Sequence, residues 1–161
     1  MKNPTTVERT SERELVVTRT FDAPAHIVFA AWTRPELLKR WWVPPSFGFT
    51  LVSCEADART GGTYRFVFSH PDLEQPVAFF GNYLEVTPNS RIVWTNEEGE
   101  DGPVSTVTFE ERDGKTRLVL TELYPSKEAL DDAIASGSSG TGAAPEQFEL
   151  LDEVLVALAG R

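Results

Sequence analysis

Hydrophobic and polar residues alternate through most of the middle of the chain. Glu14 to Phe21 is rich in β-branched residues and predicts a first strand. Asp113-Gly114 is a strong two-residue hairpin signal. Further alternating segments, separated by turn residues, lie at residues 48–55, 63–69, 77–86, 91–97, 104–112 and 116–123. Consecutive strands joined by tight turns predict an antiparallel meander with one buried face.

Helical spacing follows the first strand. The segment AHIVFAAW, residues 25–32, repeats its apolar positions at helical intervals, with Asp22 or Ala23 as the expected cap and Pro24 in the first turn. Thr33-Arg-Pro35 repeats this start signal before PELLKRWW, which predicts a second, short helix. We expect two consecutive helices between the first strand and the meander.

The C-terminal third returns to helical spacing. Ser126 to Ala135 predicts a short helix, and the loop SGSSGTG separates it from Pro145 to Ala159. That last segment carries one apolar stripe, at Phe148, Leu151, Val154, Leu155 and Leu158. A sheet with one apolar face needs a cover, and this helix supplies it. The prediction is an α+β fold of order β-α-α-β6-α, with a flexible arm at 1–13 and a single domain at 14–161.

Composition narrows the classes of function. The chain has 161 residues with a formal net charge of -10, which argues against a nucleic-acid partner. It has one cysteine, Cys54, and no apolar run long enough to cross a bilayer, so we expect a cytoplasmic protein without a disulfide or a membrane span. His26, His70 and Cys54 lack the spacing of metal ligands, and no cofactor motif is present.

Several segments carry a family resemblance. RTFDAPAHIVFAAWTRPELLKRWWVPPSF, GGTYRFVF, GNYLEVTPNSRIVWT and VTFEERDGKTRLVLTE follow one another along the chain. Together they resemble the activator of heat-shock-protein-90 ATPase-like family of the START-like (SRPBCC) superfamily. The resemblance implies the helix-grip fold, a curved antiparallel sheet wrapped around a long C-terminal helix with a hydrophobic cavity between them.

The chain departs from that family at the start of the last helix. Ala144-Pro145 stands where the family usually has Gly-Trp. Loss of the aromatic ring should leave more open volume at one end of the cavity or allow the SGSSGTG loop to move. Both consequences remain open.

The expected ligand site is the inward face of the sheet and its cover. Trp41 and Trp42 follow one another and are not expected to face the core together. Either one stacks on a ligand at the pocket mouth or both form a structural plug. A ligand wall and an ordinary core would use the same inward residues. The candidate ligand-binding residues are Trp41, Trp42, Tyr64, Phe66, Phe68, Trp94, Phe109, Leu118, Leu120, Phe148, Leu151 and Leu155.

Catalytic groups are few. Glu122 shares the inward parity of Leu118 and Leu120 and could act as a general acid or base, although a solvated position at the strand end is the preferred interpretation. His70 follows a strand end and could reach the pocket rim. No complete catalytic constellation is visible, which favours a non-enzymatic role.

Three functions follow in order of preference. The first is binding of a small apolar or amphipathic molecule. The second is an enzyme of the cyclase or hydrolase type, as in START-like relatives, using the same cavity. The third is a co-chaperone-like interaction module in a stress response, which the family name suggests; the short arm cannot be the additional N-terminal domain of the namesake. A monomer and a homodimer formed through strand edges are both compatible with the sequence.

Overall fold

The alternating segments form an eight-stranded antiparallel sheet with the strand order β1-β2-β8-β7-β6-β5-β4-β3. The computed structural model describes residues 5–42, 48–96, 103–136 and 144–159. The elements are β1 (Thr6–Ser11), β2 (Glu14–Phe21), α1 (Ala25–Thr33), α2 (Pro35–Leu38), β3 (Thr50–Ala56), β4 (Thr63–Ser69), β5 (Val77–Thr87), β6 (Arg91–Thr95), β7 (Val104–Arg112), β8 (Lys115–Leu123), α3 (Lys127–Ser136) and α4 (Ala144–Ala159). The predicted α+β helix-grip fold is confirmed, with a curved sheet and a C-terminal helix.

The turn between β7 and β8 has the predicted hairpin geometry. Asp113 and Gly114 have φ of 55° and 78°, and Arg112 pairs with Lys115 across the loop. Two consecutive positive φ values define the type I′ turn, whose twist matches that of the flanking strands. The register it sets places Ser105 opposite Glu122 on one face.

The N-terminal segment differs from the prediction. A flexible arm over residues 1–13 is wrong for Thr6–Ser11, which form β1 and pair antiparallel with β2 at the edge of the sheet. Every side chain of β1 is exposed. β1 is held in the sheet by its antiparallel pairing with β2. Because the side chains of this edge strand are exposed, its sequence shows no apolar periodicity.

The start of α1 also differs. Neither Asp22 nor Ala23 caps the helix; the N-cap is Pro24, which makes no side-chain cap hydrogen bond. The backbone N–H of Ala25 instead donates to Oε1 of Glu111, on β7, at 2.8 Å. A carboxylate from a distant strand therefore satisfies a donor that helices usually satisfy locally.

The last helix covers the sheet as predicted. Phe148, Leu151, Val154 and Leu155 of α4 are all buried, and α4 contacts both β2 and α1. Residues 137–143, in the loop before α4, lie outside the described residues. The expected effect of Ala144-Pro145 on that loop therefore stays a prediction. Within the described ranges, no helix is both long and apolar enough to cross a membrane.

One charged residue on the concave face was not predicted to be buried. Arg19 of β2 points toward α4, where its guanidinium pairs with Glu149 at 3.2 Å and with Asp152 at 3.3 Å. It also donates to Oγ1 of Thr5 at 3.2 Å and lies 5.2 Å from the centroid of the Phe21 ring. This cluster attaches the middle of α4 to β2.

Candidate functional site

A small cavity lies between the two N-terminal helices and strands β4, β5 and β6. Its volume is about 20 Å³. That volume accommodates about one water molecule, whereas an engineered cavity of about 150 Å³ is needed for benzene. The lining is almost entirely aromatic or aliphatic, and consists of Trp32, Leu38, Trp42, Tyr64, Phe66, Tyr83, Ile92 and Trp94.

Trp32, near the end of α1, is the centre of an aromatic cluster around this cavity. Its ring centroid lies 4.8 Å from that of Trp41, and 6.0 Å from those of both Trp42 and Trp94. The contacts with Trp41 and Trp42 are edge-to-face. Such pairs stabilise the cluster beyond the effect of burial alone. The wall of the cavity is therefore a set of interlocking rings.

The two consecutive tryptophans have different environments. Trp41 is fully buried, and its indole N–H donates to the backbone oxygen of Ala31 at 3.0 Å. Trp42 is half-buried, lines the cavity and meets Phe66 edge-to-face at 5.4 Å. Only Trp41 of the two is fully buried in the core, although both rings contact Trp32. Whether Trp42 stacks on a ligand or forms a structural plug with Trp41 stays a prediction.

The polypeptide around Trp42 is linked to the last helix. Nε2 of Gln147, in the first turn of α4, donates to the backbone oxygen of Trp42 at 2.5 Å. Residues 43–47, which follow Trp42, lie outside the described residues. The half-buried ring is thus held by ring contacts, and its backbone by the bond from Gln147 and by its own N–H, which donates to the backbone oxygen of Leu38 at 2.9 Å.

The cavity brings together part of the predicted ligand site. Trp42, Tyr64, Phe66 and Trp94 line it. The remaining candidates are buried in the same hydrophobic core but do not line the cavity: Trp41, Phe68, Phe109, Leu118, Leu120, Phe148, Leu151 and Leu155. A ligand role for these eight stays a prediction.

Four lining residues were missed by sequence reasoning. Tyr83 and Ile92 have the inward parity of their strands, and Trp32 lies on the predicted apolar face of α1. Leu38 is the last residue of α2. Each carried a visible periodicity signal, but parity alone does not show which inward residues lie beneath the short helices and which lie beneath α4.

An exposed apolar patch, formed by Phe49, Val77 and Phe79, lies near the cavity on the same face of the sheet. Phe79 pairs directly with the cavity residue Phe66 in the β4–β5 register and is 41 % exposed. Phe68 connects the patch, because its ring lies 5.0 Å from Phe79 and 6.3 Å from Phe49. Directly opposed residues of antiparallel strands share a face. Apolar surface therefore continues from the cavity wall to solvent.

Polar groups border the cavity at the other end. The hydroxyl of Tyr64 donates to the backbone oxygen of Thr95 at 2.6 Å. The side-chain amide of Asn96 donates to Oγ of Ser105 at 3.0 Å. Burial raises the pKa of the Tyr83 phenol above its ordinary value, which already keeps this hydroxyl protonated at neutral pH.

The buried carboxyl group of Glu122 lies in the same row of the sheet as Trp94 and Ser105. Register pairs link Trp94 to Ser105 and Ser105 to Glu122. Glu122 is only 6 % exposed, and Tyr124 donates to its Oε1 at 3.3 Å. The preferred interpretation of a solvated strand end is therefore wrong. The α3 helix packs Leu130 against Tyr124 and closes this end of the sheet.

The other titratable candidates lie outside the cavity lining. The His70 ring is 4.8 Å from Phe49, and its Nδ1 accepts a hydrogen bond from the backbone N–H of Asp72 at 3.0 Å. Cys54 is half-buried, and burial raises the pKa of its thiol to about 11. Among the described residues, no group of three or more histidine, cysteine, aspartate or glutamate side chains is placed to hold a metal ion.

A family model described as Activator of Hsp90 ATPase homolog 1-like protein matches residues 22–155. The chain belongs to this family. The match includes both short helices, strands β3 to β8 and most of α4, and thus every residue of the cavity lining. The resemblance stated from the sequence is confirmed, and the START-like superfamily is consistent with it.

Solved structures show the same family architecture. A Rhodobacter sphaeroides protein is 25 % identical, with a TM-score of 0.83 over 96 % of this chain and 99 % of that one. A Mycobacterium smegmatis protein is 27 % identical, with a TM-score of 0.77 over 96 % and 99 % of the two chains. The AHSA1-like protein of Aeromonas hydrophila shares the fold at 18 % identity, with a TM-score of 0.62 over 90 % and 94 %. No curated protein matches the chain by sequence.

Proposed function

We propose that this domain binds a small apolar molecule in the aromatic cavity beneath α1 and α2, and that Trp42 moves outward to admit it. The observation that carries the proposal is the continuous apolar surface from the cavity wall to the exposed patch. Exposed aromatic residues beside an apolar cavity are typical of a ligand entrance rather than of an ordinary core.

The ligand needs more room than the cavity provides. The present volume of about 20 Å³ is several times smaller than the ~150 Å³ that holds benzene. Trp42 is the lining tryptophan that is only half-buried, so its ring can leave at a lower cost than that of Trp32. Outward movement breaks its three edge-to-face contacts, with Phe66, Trp32 and Trp41, worth about 0.5–1.5 kcal/mol each.

Two substitutions test the site in opposite directions. Trp42→Ala removes the closing ring, so ethylbenzene should bind about tenfold more tightly than to the wild type, because the cost of opening is removed. Ile92→Phe adds volume to the lining and should weaken binding by a similar factor. Isothermal titration calorimetry measures both dissociation constants, and circular dichroism confirms that the variants are folded.

The matched control lies on the opposite face of the sheet. Phe80 neighbours Phe79 but points away from the cavity, and it is also 41 % exposed. Phe80→Ala should leave ethylbenzene binding unchanged. The proposal fails if the wild type shows no saturable binding, or if Phe80→Ala alters the dissociation constant as much as Trp42→Ala does.

A specific observation also supports an enzymatic role as a second candidate. Glu122 combines near-complete burial with a position two strands away from the cavity residue Trp94, in the same row of the sheet with Ser105 between them. A carboxyl group so placed could exchange a proton with a ligand that extends along the sheet. If the domain is an enzyme of this kind, Glu122→Gln abolishes turnover of a substrate while leaving its binding intact; full activity in that variant removes Glu122 from the mechanism.

The third candidate, a chaperone-interaction module, rests on the name of the family alone. Retention of the domain by the middle domain of Hsp90 at micromolar concentration would support it, and no retention would dispose of it. We rank it below both uses of the cavity, because no described surface of this chain favours that partner over another.

A further inference from the structure

One residue of the cavity lining carries a hydrogen-bond donor that has no partner among the described residues. Trp32 is 4 % exposed, and its indole Nε1 is buried without a hydrogen-bond acceptor among the described residues. Trp41, whose ring lies 4.8 Å away, has its own indole N–H bonded to Ala31. An unpaired buried donor is rare, because desolvation without a replacement bond is costly. The Trp32 donor is therefore a candidate partner for an acceptor atom on a bound molecule.

We propose that the indole N–H of Trp32 is the donor that selects the ligand, by binding one acceptor atom on an otherwise apolar molecule. The inference rests on the ligand-binding function proposed above and adds the chemistry of the ligand. In the free protein the cavity has room for about one water molecule, which would find few polar partners in an aromatic lining. A ligand acceptor that displaces such a water exchanges a poorly bonded solvent molecule for a direct bond.

The lining also indicates that the acceptor is uncharged. The described lining contains no lysine, arginine or histidine side chain, and its remaining polar groups are the hydroxyls of Tyr64 and Tyr83 and the indole N–H groups of Trp42 and Trp94. A carboxylate or phosphate would be buried without a counter-charge, which is strongly unfavourable. The ligand class is therefore a small neutral carbonyl or ether compound with an aromatic or aliphatic body.

Acetophenone and ethylbenzene test this directly, because they have similar size and shape and differ in the ketone oxygen. In Trp32→Phe the ring contact is largely kept and the N–H is lost. The affinity for acetophenone should fall by about 2- to 10-fold relative to that for ethylbenzene, the range expected for one neutral hydrogen bond. Because the substitution changes the packing around both ligands alike, this change cancels in the ratio of the two affinities.

Trp41→Phe is the matched control, since it removes a neighbouring indole N–H that is already bonded inside the protein. It should leave the ratio of the two affinities unchanged. An unchanged ratio in Trp32→Phe overturns the inference while the proposed function stands. Absence of binding by either ligand to the wild type overturns both.

A measurement on the wild type keeps the test valid if Trp32→Phe does not fold. The indole proton of Trp32 is assigned in a ¹⁵N–¹H spectrum as the signal that persists in Trp41→Phe, Trp42→Phe and Trp94→Phe. Acetophenone should move this signal further downfield than ethylbenzene does. Equal shifts with the two ligands overturn the inference.

Discussion

Removing the negative charges that face Arg19 should cause a large loss of stability. The Arg19 side chain is 1 % exposed, so its guanidinium cannot regain water when its partners are lost. Its two partners differ in burial: the Glu149 side chain is 44 % exposed and that of Asp152 is 18 % exposed. The perturbation is the pair of near-isosteric substitutions Glu149→Gln and Asp152→Asn, alone and together.

The expected magnitudes follow from those exposures. Glu149→Gln should cost about 1 kcal/mol or less, because the exposed partner is screened and Asp152 remains. Asp152→Asn should cost more, because this carboxylate is the better-buried partner. The double variant leaves a buried, uncompensated guanidinium and should lose about 3–5 kcal/mol. For a chain of this length that lowers the midpoint of thermal unfolding by roughly 6–20 °C.

Urea unfolding followed by circular dichroism measures these free energies. Asp131→Asn is the control, because it breaks two exposed ion pairs, with Lys127 and with Arg9, both at 2.7 Å, and should leave the urea midpoint almost unchanged. Replacing Arg19 by Met in the double variant should restore much of the stability, since it removes the unpaired charge. A double variant that loses less than about 1 kcal/mol would refute the reasoning that α4 is held by a buried charge cluster.

Three further outcomes are expected. Gly81→Ala should lower the free energy of unfolding in urea by about 2–3 kcal/mol, because the new Cβ would lie 2.1 Å from the backbone oxygen of Thr95. In Gly61→Ala the new Cβ has no other atom within 4 Å, so this variant should lose only about 1 kcal/mol, owing to its φ of +88°. Equal losses would contradict this. Cys54 should react slowly with dithionitrobenzoate at about pH 8, because a thiol pKa of about 11 leaves roughly one thiolate in a thousand at that pH. The reaction rate should then rise about tenfold per pH unit up to about pH 10. A rate that reaches a plateau below about pH 9 would contradict the raised pKa. Glu111→Ala should destabilise the fold by about 1 kcal/mol through its bond to the α1 N-terminus, and an unchanged urea midpoint would show that the bond contributes nothing.

The sequence predicted the elements whose periodicity records burial. β2 was expected and found at Glu14–Phe21, and the six strands after the helices follow in the expected order. β1 was missed because all the side chains of this edge strand are exposed, so its sequence has no apolar periodicity. The α1 cap was missed because Glu111 reaches it from a strand distant in the chain.

The site was predicted less completely than the fold. Strand parity identified Tyr64, Phe66 and Trp94 as inward, and all three line the cavity. It could not distinguish residues beneath α1 and α2 from residues beneath α4, since that depends on where each helix crosses the sheet. The indole N–H of Trp32 has no hydrogen-bond partner among the described residues, and this follows from three-dimensional packing that the pattern of apolar residues in the sequence does not reveal.

Titration of ¹⁵N-labelled protein with ethylbenzene tests the central claim, ligand binding in the aromatic cavity, most directly. The account predicts saturable shifts that fit one site and are largest at the indole signals of Trp32, Trp42 and Trp94, which line the cavity. The indole signal of Trp41, which does not line it, should shift less. Shifts confined to the backbone of Val77 and Phe79, growing linearly without saturation, would mean that the molecule only adheres to the exposed patch and would contradict the claim.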